Sequence, residues 1–261
     1  MRSLDIAATG MLAQQLNVDV ISNNIANMTT TGYKRQRAEF QDLLYQNMRR
    51  VGSASSEAGT IVPSGIQLGV GVKPAAIYRM TGQGALSITG NALDLAVNGQ
   101  GYFLVELPSG DTAYTRAGTF QISAGGEVVT ADGFTVQPGI TVPPDAIGIS
   151  VNASGQVSVN IAGQVQDQIV GQVDLATFPN PAGLDAIGKN LFLETNASGQ
   201  STVGSPGASG FGTIEQGALE ASNVDVVTEI TNLIEAQRAY EMNSRVIQAS
   251  DEMMSSVAQL R

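Results

Sequence analysis

The sequence predicts an α+β fold: a long helix at each end forming a coiled-coil terminal domain, a mainly β central domain, and an extended connecting segment. Three observations carry this. Residues 4–28 hold apolar side chains at alternating steps of three and four, residues 226–260 do the same, and the stretch between them is Gly-rich with strand and turn patterning. Helices that need a partner at both termini, around a β middle that does not, describe a subunit of an assembly better than they describe an enzyme.

The first helix is expected from Ser3 to about Met28, with a seam of Leu4, Ala7, Met11, Gln14, Val18, Ile21, Ile25 and Met28. A second row, Leu12, Leu16 and Val20, widens the stripe enough for two neighbours. Three β-branched residues and a glycine, Thr29-Thr30-Thr31-Gly32, end it. Asn23, Asn24 and Asn27 lie on its polar side, where they either face solvent or make interhelix hydrogen bonds that set register. Tyr33 to Arg50 is mixed and suggests a short helix around Phe40, Leu43 and Leu44. Val51 to Gly71, rich in Gly, Ser and Ala with Pro63, reads as extended or loop.

From Gly71 to Thr202 the pattern is that of strands. Leu93, Leu95 and Val97 alternate, Gly99-Gln100-Gly101 turns the chain, and Tyr102-Phe103-Leu104-Val105 follows as a buried strand. Closely spaced turn signals at Pro108–Asp111, Ala124–Gly126 and Ala131–Gly133 predict hairpins. The pentapeptide Asn-Ala-Ser-Gly-Gln occurs at 152–156 and again at 196–200, and both copies read as hairpin turns. Ser205 to Gly217 is loop-like. The last helix opens at Ser222-Asn223-Val224-Asp225, a capping box in outline. Its seam is Val226, Ile230, Leu233, Gln237, Tyr240, Ile247 and Met254, with Val246, Met253, Val257 and Leu260 on the adjoining stripe. About 37 residues without Gly or Pro span roughly 55 Å as a helix, so this helix is expected to pack on other helices along most of its length.

Composition narrows function. A net charge of −10 with 13 basic residues opposes a nucleic-acid role, and the cluster Lys34, Arg35, Arg37, Arg49 and Arg50 reads as a solvated or intersubunit face. The chain has no Cys and no His, which removes the usual zinc ligands, thiol nucleophiles and Ser-His-Asp triads. Gly183–Asn190 nearly spells a phosphate-binding loop, but it ends in Asn where magnesium needs Ser or Thr, and a strand pattern follows where a helix is needed. The carboxylates Asp94, Glu106, Asp111, Glu127 and Asp132 mostly follow turn logic, so no catalytic residue, metal or cofactor is expected. No run of 18 apolar residues occurs, which argues against membrane insertion. Asp5 interrupts the start of the chain, so no secretory signal is expected, leaving the cytoplasm or a dedicated secretion machine.

Three motifs resemble the bacterial flagellar axial proteins, the rod and hook family. They are Ala7–Met11 with Asp19–Asn27 and Thr30–Lys34; Leu95–Phe103 with Tyr114–Gly118 and Asp132-Gly133; and Gly217–Asp225 running into Gln237–Glu241. Within the family, Arg35–Gln46 and the segment to Gly65 resemble the distal-rod members more than hook or proximal-rod subunits. The resemblance implies a rigid helical tube that transmits torque from motor to hook and lets later subunits pass through its channel. It implies terminal coiled-coil segments at 1–30 and 223–261 lining the tube, connecting segments at 31–70 and 203–222, and an outer β domain at 71–202. The expected assembly residues are Leu4, Met11, Val18, Ile21, Asn23, Asn24, Ile25, Asn27, Val226, Ile230, Leu233, Tyr240, Ile247, Met254 and Leu260. Residues 47–65, with Arg49, Arg50, Gly52, Pro63 and Gly65, are expected to stiffen the tube by wedging between subunits. The implied partners are further copies of the chain, proximal rod proteins, hook protein, the outer P and L ring (bushing) proteins and the flagellar type III export apparatus. The implied location is the basal body, in a rod spanning the periplasm, reached without a cleaved signal peptide. The rival readings are a periplasmic enzyme on a β scaffold and an unrelated adhesin or phage tail fibre.

Overall fold

The computed structural model describes residues 2–49, 64–161 and 166–259. Two long helices, α1 (Arg2–Ala26) and α2 (Val226–Gln259), flank a region built of short strands. The α+β expectation holds. The chain divides into two compact units, one of residues 1–25, 36–78 and 226–261, the other of residues 26–35 and 79–225.

In the first unit, α1 stops at Ala26, two residues before the expected Met28, in a turn closed by the Thr30 N–H on Asn27 O. α2 starts at Val226, so Asp225 rather than Ser222 stands at the N-cap position. The segment around Phe40 is a strand, Gln36–Asp42, paired with Val72–Arg79, and not the expected short helix. Its burial alternates strictly: Gln36, Ala38 and Phe40 are half-buried while Arg37, Glu39 and Gln41 are exposed. That is the period of a strand, and Asn24 fixes its start by grasping the Gln36 backbone from both sides, Nδ2 to Gln36 O and Gln36 N to Oδ1, each at 2.8 Å. A second pair, Tyr45–Arg49 with Ile66–Gly69, is antiparallel. It leaves Leu44, Tyr45, Met48, Ile66 and Leu68 exposed.

In the second unit the largest sheet is centred on Tyr102–Glu106. One edge of that strand pairs with Thr112–Thr115. The other is shared, its first half taking Leu175–Thr177 and its second half Thr135–Val136. A separate three-stranded meander, Ala146–Val151, Gln156–Ile161 and Gln168–Gln172, lays Val157 and Val159 into the same core as Leu95, Val97, Phe103, Phe120, Val136 and Leu175. The first Asn-Ala-Ser-Gly-Gln copy is the expected hairpin turn, with Asn152 Oδ1 accepting the N–H groups of Ser154 and Gln156. The second copy is a turn but not a hairpin. Leu191–Leu193 before it pairs with Asp185–Gly188 and Thr112–Thr115, and Thr202–Gly204 after it pairs with Leu175–Thr177. The near-phosphate loop closes the hairpin Asp185–Gly188 to Leu191–Leu193, with Lys189 and Asn190 both left-handed, at φ 55° and 59°. Lys189 Nζ lies 3.3 Å from Asp132.

Space dictates several glycines in this unit, Gly32 and Gly118 among them. Gly32 has φ +68°, and a Cβ there would lie 2.7 Å from the Arg116 carbonyl carbon. Gly118 sits against the Leu95 backbone, whose N–H bonds Gly118 O at 3.0 Å, and a Cβ there would overlap Leu95 O. Neither neighbour is a side chain that can turn away. Gly118→Ala is therefore expected to cost about 1–3 kcal/mol or more as overpacking, read as a lowered denaturant midpoint. A midpoint equal to that of the parent chain would mean the Leu95 strand moves freely.

Candidate assembly interface

Within the first unit, α1 and α2 run antiparallel, and small and polar side chains meet between them. Ser3 Oγ and Ser250 Oγ are 3.2 Å apart. Gly10 faces Asn243, whose Nδ2 would lie 2.9 Å from a Cβ at position 10. Asn24 Nδ2 donates to Glu229 Oε2 at 3.2 Å. Climbing α1 from 3 to 10 to 24 thus descends α2 from 250 to 243 to 229, and the same register sets Asn17 opposite Ala236. The buried residues of α2 are Glu229, Ala236 and Ser250, spaced by sevens and their multiples. This is a heptad seam in which the close-contact positions are occupied by Ser, Gly, Asn, Ala and Glu.

The large apolar side chains lie largely outside that seam. On α2, Val227, Ile230, Ile234, Met242, Val246, Met253, Met254 and Val257 are exposed, Val227 at 74% and Val257 at 64%. On α1, Leu12 is 66% exposed. In this register Arg2, the first described residue of α1, stands opposite residue 251, so residues 252–259 of α2 have no described α1 residue facing them. A half-exposed Val, Ile, Leu or Met gains about 1 kcal/mol when its remaining surface is covered, so a helix carrying eight such residues has a strong driving force to meet another apolar surface.

The intrachain seam is rotated by one residue on α1 from the stripe the periodicity picks out. Leu4, Met11, Val18 and Ile25 flank it half-buried, and Ile21 is buried at 4% exposure. Among the three asparagines Asn24 is buried, Asn23 is exposed and Asn27 is half-buried. On α2, Val226, Leu233 and Ile247 are half-buried and Ile230, Tyr240 and Met254 are exposed, while Leu260 lies outside the described residues. Of the expected stiffening residues, Arg49 is exposed and Gly65 half-buried, and Arg50, Gly52 and Pro63 lie outside the described residues. Ser3, Gly10, Asn17, Glu229, Ala236, Asn243 and Ser250 are the seam residues the apolar pattern passes over. Their signal is the seven-residue spacing of small and polar types.

The second unit carries a buried ion cluster where the segment 26–35 meets the strand Ala218–Glu220. Glu220 is fully buried. Its Oε1 accepts from Lys34 Nζ at 2.6 Å and from the Gly84 N–H at 2.8 Å, and its Oε2 from Arg116 Nε at 2.7 Å. Two cations share one carboxylate, and backbone carbonyls take up the surplus: Gly82 O for Lys34, and Gly99 O, Val97 O and Gly101 O for Arg116. Around the cluster, Asn223 accepts the Arg35 N–H at 2.7 Å and donates to Met80 O and Gly82 O at 2.9 Å each. The segments that continue into α1 and out to α2 are thereby stitched to each other and to residues 79–84. Lys34, expected on a solvated or intersubunit face, is instead 5% exposed. The reason is that its ammonium has a carboxylate and a carbonyl waiting inside.

Burial draws the Lys34 ammonium below its ordinary pKa, the hydrogen bond and charge of Glu220 pull it back, and Arg116 adds to the lowering. A lysine depressed in the folded state carries its penalty in full below the depressed value. It sheds that penalty as pH climbs to the ordinary 10.5, because the unfolded chain then binds the extra proton. The stability of the parent chain relative to Lys34→Met is expected to rise with pH across that window. A difference that stays flat, measured by urea unfolding at stepped pH, would contradict a desolvated lysine.

Comparison with known proteins supplies the context. Residues 4–34 match the family described as flagella basal body rod protein, residues 96–159 the flagellar hook protein FlgE/F/G D1 domain, and residues 215–260 the flagellar basal body rod FlgEFG protein C-terminal family. The chain is 59% identical over 261 residues, all of both chains, to the flagellar basal-body rod protein FlgG of Caulobacter vibrioides. It is 51% identical to the protein of that name from Agrobacterium fabrum, over 99% of this chain and 98% of the other. It is 39% identical to the one from Bacillus subtilis, over 100% and 99%.

Proposed function

The chain belongs to the flagellar basal-body rod and hook protein family, and from that membership we propose that it is the distal-rod subunit, self-assembling into a rigid helical tube that carries torque from motor to hook. It is a structural subunit of the flagellar basal body. The observation that carries the tube reading is the division of labour on the helices. The intrachain pair is closed by small and polar residues, and the long apolar stripe of α2 is left outside for neighbouring copies. In a tube those copies cover it, residues 252–259 included. Torque delivered to the helices leaves through segments 26–35 and 221–225, which the Arg35 N–H bond to Asn223 ties together, beside the Lys34–Glu220–Arg116 cluster.

The partners of this reading are proximal rod proteins at one end, hook protein at the other, the P and L ring proteins outside, and the type III export apparatus that delivers the chain to a rod crossing the periplasm. Later subunits pass through the channel. The exposed pair Tyr45–Arg49 and Ile66–Gly69 flanks the stretch that stiffens the tube by wedging between subunits. Deleting residues 47–65 is expected to give a more flexible polymer, and unchanged stiffness in electron micrographs would remove that role. The whole reading is tested by concentrating the purified chain and imaging it. Tubes with a central channel are expected, and a chain that stays monomeric even when seeded with isolated rods would contradict it.

A further inference from the structure

An apolar seam alone leaves an antiparallel helix pair free to slide by a heptad, because every slid position again sets apolar on apolar. The pair of α1 and α2 has two features that resist sliding. The first is steric. Asn243 packs where α1 has Gly10, its only glycine, and a Cβ there would already stand 2.9 Å from the amide nitrogen. A slide of one heptad sets Asn243 against Ser3 or Asn17, whose Cβ would turn the Asn243 amide out of its place against α1. The second is polar. Asn24 is 1% exposed and Glu229 1% exposed, and they bond to each other while Asn24 also holds the Gln36 backbone. A slide in one direction carries Glu229 beyond the end of α1. A slide in the other carries Asn24 past the start of α2. Either way the buried hydrogen bond between Asn24 and Glu229 is broken, which costs more than a neutral exposed contact returns.

We propose that the Gly10–Asn243 notch and the Asn24–Glu229 pair are the register lock of this helix pair, specifying one antiparallel alignment at some cost in seam stability. The lock matters to function only under the rod-subunit reading, where a slid pair would offer neighbouring copies a displaced stripe. The lock itself is an intrachain property and is tested without a polymer.

The chain has no cysteine, so introduced pairs report cleanly. Three double variants are oxidised in dilute solution and the intrachain links counted by peptide mass spectrometry: Ser3→Cys/Ser250→Cys, in register; Ser3→Cys/Val257→Cys, one heptad out; and Ile6→Cys/Tyr240→Cys, one heptad out the other way. In the native background the in-register pair is expected to link at least about tenfold faster, the factor that 1.4 kcal/mol supplies. Adding Asn24→Leu, Glu229→Leu and Asn243→Ala together is expected to bring the three rates within about threefold, well under that tenfold step. Asn243→Ala alone, which empties the notch without burying anything new, is expected to shift the ratio in the same direction and guards against simple unfolding. Slid pairs that link as fast as the in-register pair in the native background would overturn the lock. So would a triple variant that keeps the full native preference. Failure of the chain to polymerise would bear on the rod reading and leave these ratios untouched.

Discussion

Replacing Val246 and Met253 together with glutamate is expected to abolish polymer formation while the isolated chain keeps its fold. Both side chains sit on the outward stripe of α2, 46% and 54% exposed, beside and not within the seam that faces α1. In the free chain the change is a surface substitution, with an effect of about 0.5 kcal/mol or less for each site. In a tube each glutamate is covered by a neighbouring copy, and an unpaired buried carboxylate costs several kcal/mol, on the order of 3–5 when nothing compensates it. The penalty recurs in every subunit, so the critical concentration moves out of reach. Sedimentation with electron microscopy reads the loss, and circular dichroism of the supernatant checks that the chain is intact. Normal tubes from this variant would mean that the stripe faces solvent in the assembly.

Glu220→Gln is expected to destabilise the second unit by about 3–5 kcal/mol, because it strands two desolvated cations. Lys34 and Arg116 are each 5% exposed and have the Glu220 carboxylate between them, at 2.6 and 2.7 Å. The carbonyls of Gly82, Val97, Gly99 and Gly101 accept hydrogen bonds but bring no formal charge. Removing the whole cluster, as Lys34→Met/Arg116→Leu/Glu220→Leu, is expected to recover a large part of the loss, since an apolar cluster strands no charge. Guanidinium unfolding of the three chains gives the comparison. A Glu220→Gln chain within about 1 kcal/mol of the parent, the size of a surface pair, would show that water reaches the cluster.

What could be read from the sequence follows from what hydrophobic periodicity measures. It finds faces that need covering, and it placed both long helices, the β middle and the alternating strand at Leu95. It does not say which neighbour does the covering. The α1–α2 contact runs through Ser3, Gly10, Asn24, Glu229, Asn243 and Ser250, residues that an apolar pattern ranks as surface, so the seam on α1 came out one residue away. The same blindness hid Lys34, whose burial depends on Glu220 and Arg116 about 190 and 80 residues distant, contacts that no local pattern encodes. Phe40 was the opposite case: the alternation of Gln36, Ala38 and Phe40 was present, but a mixed polar segment next to a long helix reads as more helix until Asn24 is seen holding Gln36. The repeated Asn-Ala-Ser-Gly-Gln fixed a turn both times and a hairpin once, because local chemistry sets the bend and the neighbouring strands decide what pairs across it.

The measurement that tests the central claim most directly is limited proteolysis with mass spectrometry, run on a dilute monodisperse sample and on a concentrated, pelleted one. If neighbouring copies complete the helix surface, sites on α2 within residues 226–259 are cut faster in the dilute sample than in the pellet, with the second unit resistant in both. If α2 is cut no faster in the dilute sample than in the pellet, its exposed stripe gains no cover on assembly and is not an assembly surface.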